Sequence, residues 1–284
     1  MDLIEENSFQ GAVPIIGRSQ LTGQELDIFH RDGFVDLGQR FSIEEAAALV
    51  LEFERVMTLL PDEAKVIEED ESANVRSLMG WENASPMLTQ FARDARVLDA
   101  VRSVLGEAIV FHQTKCNPKA PQGLGDRWDA HRDIAFWHFL DGVPDPCGIV
   151  SVFIALTEQT ETNGAAYTWV GAHNVSLRQL LDEAEFGDRQ EGKYEGDTAA
   201  NLSIQIKQSF LAEYERAYQR KALVGPPGSV WLLDSRNLHA SRPNESNQTR
   251  ILVANVFRRT SNVPKHPRQD GALCSYWSEP LITN

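Results

Sequence analysis

The stretch His131-Arg132-Asp133-Ile134-Ala135-Phe136-Trp137 places a histidine and an aspartate two residues apart at the start of a largely apolar run. Such a run is typical of a β-strand, in which residues i and i+2 point to the same face. The side chains of His131 and Asp133 would then converge on one metal ion. A local ion pair on a surface strand is the alternative for the same triplet. We predict a strand over residues 131–137 that carries two metal ligands.

A third ligand must come from elsewhere, and His239 lies in a segment typical of a β-hairpin. A Gly-Pro-Pro-Gly turn at 225–228 precedes a β-rich run at 229–233, and a polar turn leads to the histidine. Two imidazoles and one carboxylate occupy one face of an octahedral ferrous ion and leave room for a bidentate oxo-acid and dioxygen. The sequence therefore predicts an Fe(II) site of His131, Asp133 and His239. By itself, His239 would fit equally well as a core histidine.

Arg250 begins the clearest strand of the C-terminal half, after a turn at 244–247. A guanidinium is planar and permanently charged, so it suits the far carboxylate of an oxo-acid bound to the metal. Ser241 is a candidate donor to the same carboxylate, or it simply ends a strand. A surface ion pair is the alternative for Arg250.

The spacing of apolar runs and turns predicts a mainly β fold with flanking helices, in which one domain spans residues 1–284. Thr22 and Ser42 are candidate N-caps of two helices, and one or two more lie between Pro86 and Leu105. Residues 174–223 read as a helical insertion or lid, with helices within 177–186 and 203–221. Seven strands would build a double-stranded β-helix core of the jelly-roll or cupin type: 108–116, 131–137, 147–156, 166–170, 229–233, 237–241 and 250–258.

Composition excludes several classes of protein. The chain has 284 residues and a formal net charge of -14, which argues against nucleic-acid binding. No apolar run is long enough to span a membrane, and the acidic N-terminus does not resemble a secretory signal. Cys116, Cys147 and Cys274 have no CxxC spacing and predict buried thiols in a reducing cytoplasm. We expect a small-molecule substrate and leave a homodimer open. Residues 1–20 and 61–84 read as an arm and a mobile acidic segment.

Several segments resemble the phytanoyl-CoA hydroxylase superfamily of Fe(II)/2-oxoglutarate dioxygenases, and most closely the ectoine hydroxylases. The segment at 29–35, Phe-His-Arg-Asp-Gly-Phe-Val, is similar to the superfamily's entry motif. Residues 112–119, His-Gln-Thr-Lys-Cys-Asn-Pro-Lys, resemble a family segment in which the first, second, sixth and last residues are shared. Trp137-His138 and Gly171-Ala172-His173 match family positions in the same order. The resemblance covers most of the chain.

The resemblance implies Fe(II), 2-oxoglutarate and O2 as cofactors, and hydroxylation with release of succinate and CO2. It also implies that Lys119 helps to hold 2-oxoglutarate, and that Gln113 and Trp137 contact the primary substrate. An exposed lysine, a strand-edge glutamine and a core tryptophan are the alternatives. Because position 133 is an aspartate, the coordination site that a halide would need is occupied. We therefore expect hydroxylation and not halogenation.

The substrate pocket departs from that of the ectoine hydroxylases. Leu233 and Ala254 align with two aromatic walls of their substrate cage, and Phe136 replaces a threonine. Loss of these walls removes cation–π contacts and enlarges the pocket. We expect the substrate to be another small amino acid or amino-acid-derived metabolite. The alternatives are a tailoring oxygenase that hydroxylates, desaturates or cyclises a larger natural product, and a non-enzymatic 2-oxoglutarate-binding module, which the intact ligand set disfavours.

Overall fold

The computed structural model describes residues 19–60, 65–67, 74–106, 108–123, 127–186, 204–266 and 281. Its strands are β1 (Phe34–Gln39), β2 (Lys65–Ile67), β3 (Val75–Met79), β4 (Ile109–Lys119), β5 (Trp128–His131), β6 (Ile149–Ala155), β7 (Ala166–Trp169), β8 (Ala184–Phe186), β9 (Ile204–Ile206), β10 (Arg220–Ala222), β11 (Ser229–Asp234), β12 (His239–Ser241) and β13 (Arg250–Arg259). Seven form a large sheet in the order β1-β11-β6-β13-β4-β3-β2, and four form a smaller sheet in the order β10-β7-β12-β5. The paired strands β8 and β9 stand apart.

The helices are α1 (Gly23–Asp32), α2 (Ile43–Met57), α3 (Pro86–Ala92), α4 (Ala95–Leu105), α5 (Asp133–Phe139), α6 (Leu177–Glu183) and α7 (Gln208–Ala217). The two predicted N-caps are confirmed. The Thr22 hydroxyl accepts from the Glu25 amide at 3.2 Å, and the Glu25 carboxylate accepts from the Thr22 amide at 2.7 Å. Ser42 and Glu45 repeat this capping box at the start of α2. Each box satisfies two amide groups that a helix start otherwise leaves unpaired.

The large sheet separates the helical layer from the interior of the barrel. On its outer face, strands β6 and β13 contribute to the largest hydrophobic cluster together with residues of α2, α3 and α4. Its inner face belongs to a second cluster that includes Phe153, Leu233 and Ala254. Burial of the outer face is the main hydrophobic contribution to stability, because the hydrophobic free energy scales with buried apolar area. The inner face is left to line the site.

The predicted strand over 131–137 is wrong. Strand β5 ends at His131, and the helix α5 begins at Asp133. The residues from Asp133 to Trp137 are all buried. A short helix that is buried all round shows a continuous apolar run, which periodicity alone does not distinguish from a buried strand. The argument that His131 and Asp133 share one face of a strand therefore does not hold. Their side chains nevertheless lie next to each other.

The other predicted strands are confirmed with shifted ends, and β4 continues to Lys119. Between β7 and β11 the chain forms α6 and α7 as expected, but also the β8–β9 pair and β10, where the prediction gave helix. Residues 187–203 of this insertion lie outside the described residues, as do the arm up to residue 18 and much of the acidic segment. The acidic segment also contains β2 and β3, which the sequence did not predict. One domain with 174–223 as a lid stays a prediction.

No helix in the described part of the chain is long and apolar enough to cross a membrane. Cys116 is a buried free thiol as predicted, but the prediction of a buried thiol is wrong for Cys147, which is exposed, and Cys274 falls outside the described residues. The expectations about nucleic acid, a homodimer and cellular location stay predictions.

Candidate metal centre

The three predicted metal ligands meet where the small sheet joins α5. His239 on β12 is the register partner of His131 on β5, and their ring centroids lie 4.3 Å apart. Asp133 starts α5, so its carboxylate lies at the positive end of the helix dipole. Its Oδ1 is 3.6 Å from His131 Nε2 and 3.8 Å from His239 Nε2. The ligand atoms all lie within 4.8 Å of one another, and all three side chains are buried.

Hydrogen bonds orient these ligands toward a common point. His131 Nδ1 is 2.6 Å from the carbonyl oxygen of Asp129, and His239 Nδ1 is 3.3 Å from that of Asn237. Since a carbonyl only accepts, Nδ1 carries a proton in each ring, and in the neutral imidazole the lone pair is then on Nε2. The Ser151 hydroxyl donates to Asp133 Oδ2 at 2.7 Å and leaves Oδ1 facing the imidazoles. Two imidazole nitrogens and one carboxylate oxygen fit a ferrous ion.

The local electrostatics favour the protonation states that bind metal. Burial and the neighbouring His131 lower the pKa of His239 to about 4, so its imidazole is neutral. Burial alone would raise the pKa of Asp133, but its electrostatic interactions with His239 and Lys115 and the contact with His131 outweigh burial and hold that pKa well below its usual range, where His239 itself becomes protonated. The carboxylate is therefore ionised. Ligands that are already deprotonated, as Asp133 and His239 are, bind a metal ion without first releasing protons.

The inner face of the large sheet is directed toward these ligands. Ser151 on β6 lies opposite Leu233 on β11 and opposite Val256 on β13. Val256 lies in turn opposite Gln113 on β4. Paired residues of neighbouring strands share a face, and Ser151 reaches Asp133, so this row borders the ligands. Leu233 and Gln113, both predicted to contact substrate, are thus on the face nearest to the ligand set.

The adjacent row contains Ala254, which like Leu233 is predicted to replace an aromatic wall of the pocket. Ala254 on β13 lies opposite Phe153 on β6 and opposite Lys115 on β4. The Phe153 ring centroid is 5.7 Å from that of His239. Lys115 is half-buried, and its ammonium lowers the pKa of both Asp133 and His239. This row therefore places a small side chain, an aromatic ring and a positive charge beside the ligands.

The three residues predicted to hold the co-substrate also lie together. Arg250 is the register partner of Lys119, whose ammonium donates to Ser241 Oγ at 2.7 Å and to the Arg242 carbonyl at 2.6 Å. Arg250 is 2% exposed and donates from Nη1 to Gln159 Oε1 at 3.2 Å. Its Nε has no partner among the described residues, and no carboxylate there forms an ion pair with it. Burial lowers the pKa of this guanidinium to about 10.

Trp137 lies on α5 in a hydrophobic cluster with Phe136 and Val256. Its ring meets that of His112 edge to face, with the centroids 5.1 Å apart. These contacts are those of a core aromatic residue. The predicted contact of Trp137 with substrate stays a prediction.

Sequence reasoning missed three residues around the ligands. Lys115 had a signal, because it lies two residues from Gln113 on one strand and alternation puts both on the same face. Ser151 is the single polar residue of the buried strand β6, which was a weaker signal. Arg132 lies between two ligands and is itself buried. Its partners come from distant segments, so nothing local identified them.

Comparison with known proteins agrees with this geometry. The family model for phytanoyl-CoA dioxygenase (PhyH) matches residues 29–252. The ectoine dioxygenase of Bordetella bronchiseptica is 32% identical over 253 residues, which cover 87% of this chain and 79% of that protein. The L-proline trans-4-hydroxylase of Streptomyces griseoviridis is 25% identical over 254 residues, which cover 89% of this chain and 92% of that protein.

Solved structures share the fold. EctD from S. alaskensis, solved with 2-oxoglutarate and 5-hydroxyectoine, has a TM-score of 0.72 at 24% identity and covers 92% of this chain and 89% of its own. The carbocyclase SnoK from nogalamycin biosynthesis has a TM-score of 0.69 at 18% identity, with coverage of 93% and 97%. The predicted double-stranded β-helix is confirmed, as are the predicted superfamily and enzyme class. The chain belongs to the phytanoyl-CoA dioxygenase family.

Proposed function

We propose that this dioxygenase hydroxylates an unactivated C–H bond of a small amino acid or amino-acid-derived metabolite, with Fe(II), 2-oxoglutarate and O2, and releases succinate and CO2. The observation that carries the proposal is the buried guanidinium of Arg250, which has no carboxylate partner among the described residues. A buried cation without an anion is costly, so its partner is a bound ligand. A dicarboxylate with one end at Arg250 and the other at the metal ligands meets this need.

His131, Asp133 and His239 hold the iron. When bound, iron together with O2 and the keto acid supplies the oxidation that inserts one oxygen atom into the C–H bond. The chain's own residues keep the ligand set in place: Ser151 holds one oxygen of Asp133, and two backbone carbonyls fix the imidazole rings. Because Asp133 fills the position that a halide would need, the product is hydroxylated and not halogenated.

Arg250 binds the far carboxylate of 2-oxoglutarate. Its fork offers two parallel N–H donors to a carboxylate. Ser241 and Lys119, joined by their own hydrogen bond, complete the positive end of the pocket. Gln159 already accepts from one Arg250 nitrogen and so fixes the orientation of the guanidinium before the ligand arrives.

Lys115 binds a carboxylate of the primary substrate. Its ammonium lies close enough to the ligands to lower the pKa of Asp133 and of His239, and it is half-buried on the face shared with Ala254. Gln113, Trp137, Leu233 and Ala254 form the remaining contacts. Two named relatives support this substrate class, since one acts on ectoine and another on L-proline.

The test is a screen of free amino acids and their cyclic derivatives, including ectoine and L-proline, with Fe(II), ascorbate and 2-oxoglutarate. Mass spectrometry reads the gain of one oxygen, and succinate is measured in parallel. We expect at least one carboxylate-bearing compound to gain one oxygen and to increase succinate release. The His131→Ala protein is the control. Succinate release that no small carboxylate increases, or oxygen gain that His131→Ala retains, would contradict the proposal.

A further inference from the structure

Arg132, which separates the ligands His131 and Asp133, has a buried side chain that makes three hydrogen bonds through Nε and Nη1, while its Nη2 has no partner among the described residues. Its Nε donates to the Glu183 carboxylate in a short hydrogen bond. Its Nη1 donates to the Ala172 carbonyl at 2.6 Å and, more closely still, to the Arg236 carbonyl. Arg132 is 3% exposed. The side chain therefore leaves the ligand segment and connects it to three other parts of the chain.

The connection to Glu183 leads into the insertion between β7 and β11. Glu183 is the last residue of α6, and its other carboxylate oxygen accepts from the Tyr214 hydroxyl on α7 at 2.8 Å. The Arg132 guanidinium lies 4.9 Å from the centroid of the Tyr214 ring. Gln179 on α6 donates to the same hydroxyl at 2.9 Å. Both helices of the insertion thus bind the residue that joins two metal ligands.

The third connection reaches the segment that carries His239. Arg236 lies in the turn before β12, and the Asn237 carbonyl of that turn orients the His239 ring. The amide of Ile134 also donates to the Ser235 carbonyl at 3.0 Å. One side chain and one backbone bond therefore hold the two ligand-bearing segments at a fixed separation.

We propose that Glu183 and Tyr214 are positioning residues of the metal centre, which act through Arg132 and make docking of α6 and α7 a condition for full metal affinity. The proposal rests on the function proposed above only in taking His131, Asp133 and His239 as metal ligands. Its physical basis is the buried Arg132–Glu183 pair, because loss of one partner leaves a buried charge that moves to find another. Because Arg132 lies between His131 and Asp133, movement of its side chain would displace both ligands.

The test measures metal binding by the full chain with Co(II) as the probe, by titration of its visible absorption. Loss of groups that orient metal ligands typically lowers metal affinity 10- to 100-fold. We expect Glu183→Gln to weaken Co(II) binding by about that factor and to change the absorption spectrum, Tyr214→Phe to weaken it by roughly threefold to tenfold, and Glu183→Asp to recover part of the loss. Glu185→Gln, an exposed neighbour on β8, is the matched control and should bind Co(II) like the unaltered chain.

A double variant, Arg132→Met with Glu183→Met, separates positioning from stability. It removes both charges and keeps apolar volume, so the fold should be retained, and the proposal requires weaker Co(II) binding. Wild-type affinity and spectrum in this variant, or a lower melting temperature as the sole effect of Tyr214→Phe, would overturn it. If Glu183→Gln fails to fold, these two variants decide. Failure of the metal site itself looks different, since Co(II) would then bind equally well to the unaltered chain and to His239→Ala.

Discussion

The two faces of β13 give one strand two separate tasks. Ile251, Val253 and Phe257 point to the outer face and join the cluster formed with the helices. Arg250 and Ala254 point to the inner face, beside the candidate co-substrate and substrate positions. Both faces are buried, so burial alone does not separate them. Because alternate residues of a strand point to opposite faces, the position along β13 decides what a substitution changes. On the outer face it should change the free energy of unfolding, and on the inner face it should change binding or catalysis.

The largest expected effect is at the metal ligands of the interior. His239→Ala should abolish turnover and leave the melting temperature nearly unchanged, because the outer cluster does not depend on iron. Succinate release and thermal unfolding followed by circular dichroism measure the two quantities. A variant that keeps activity and full Fe(II) affinity would remove His239 from the ligand set.

The strongest effect on the outer face should come from Phe257. Its ring packs against that of Phe111 with centroids 5.0 Å apart, and it is fully buried. Phe257→Ala should lower the free energy of unfolding by about 3–5 kcal/mol, since it removes a buried ring and leaves a cavity. Denaturant titration measures this loss. At temperatures where the variant is folded, its apparent KM for 2-oxoglutarate should match that of the unaltered chain, and a large change would break the comparison.

Arg250 is the inner-face counterpart on the same strand. Arg250→Ala should raise the 2-oxoglutarate concentration needed for half-maximal activity, because a buried charge-assisted pair contributes about 2–5 kcal/mol when one partner is removed. Arg250→Lys keeps the positive charge but loses the two parallel N–H donors. Its half-maximal 2-oxoglutarate concentration should therefore lie between those of the unaltered chain and Arg250→Ala. Initial rates at varied 2-oxoglutarate measure the effect. An unchanged dependence would show that the anchor lies elsewhere.

Lys115 sharpens the comparison within the interior, because it is proposed to bind the primary substrate and not the co-substrate. Lys115→Met should raise the KM of the primary substrate roughly tenfold to a hundredfold, as hydrogen bonds to charged groups contribute about 1.5–3 kcal/mol. The dependence on 2-oxoglutarate should stay constant. Steady-state kinetics with each varied in turn separate the two, and Lys221→Met, at an exposed position on β10, is the control. A raised requirement for 2-oxoglutarate with an unchanged KM for the primary substrate would show that Lys115 binds the co-substrate instead.

Ala254 should give the smallest effect. Ala254→Phe adds a ring to the inner face and should depress activity on the native substrate by about 1–3 kcal/mol of activation free energy, the usual cost of overpacking a formed site. Measurements of kcat/KM on that substrate test this. Unaltered turnover would mean that Ala254 does not border the pocket. Efficient hydroxylation of ectoine by the unaltered chain would contradict the expected role of Leu233 and Ala254 in excluding it.

The sequence predicted which side chains come together better than it predicted their local structure. The helix starts at Thr22 and Ser42 were predictable because a capping box is a local pattern. Residues 131–137 were assigned to a strand because an apolar run has no periodicity to reveal a buried helix, yet the structure still brings His131, Asp133 and His239 together. The contacts of Ser151 and of Arg132 with Glu183 depend on strand register and helix docking between distant segments. No local pattern encodes them.

The pairing of His131 with His239 across β5 and β12 links metal binding to the folding of the small sheet. The two imidazoles come from distant parts of the chain and meet only when these short strands pair in the correct register, because a shift by one residue would turn His239 to the other face. The unfolded chain therefore offers no preformed site to a metal ion. If these histidines are metal ligands, we expect iron to bind only after the small sheet has assembled, and metal uptake during refolding would then report when the two strands have paired correctly.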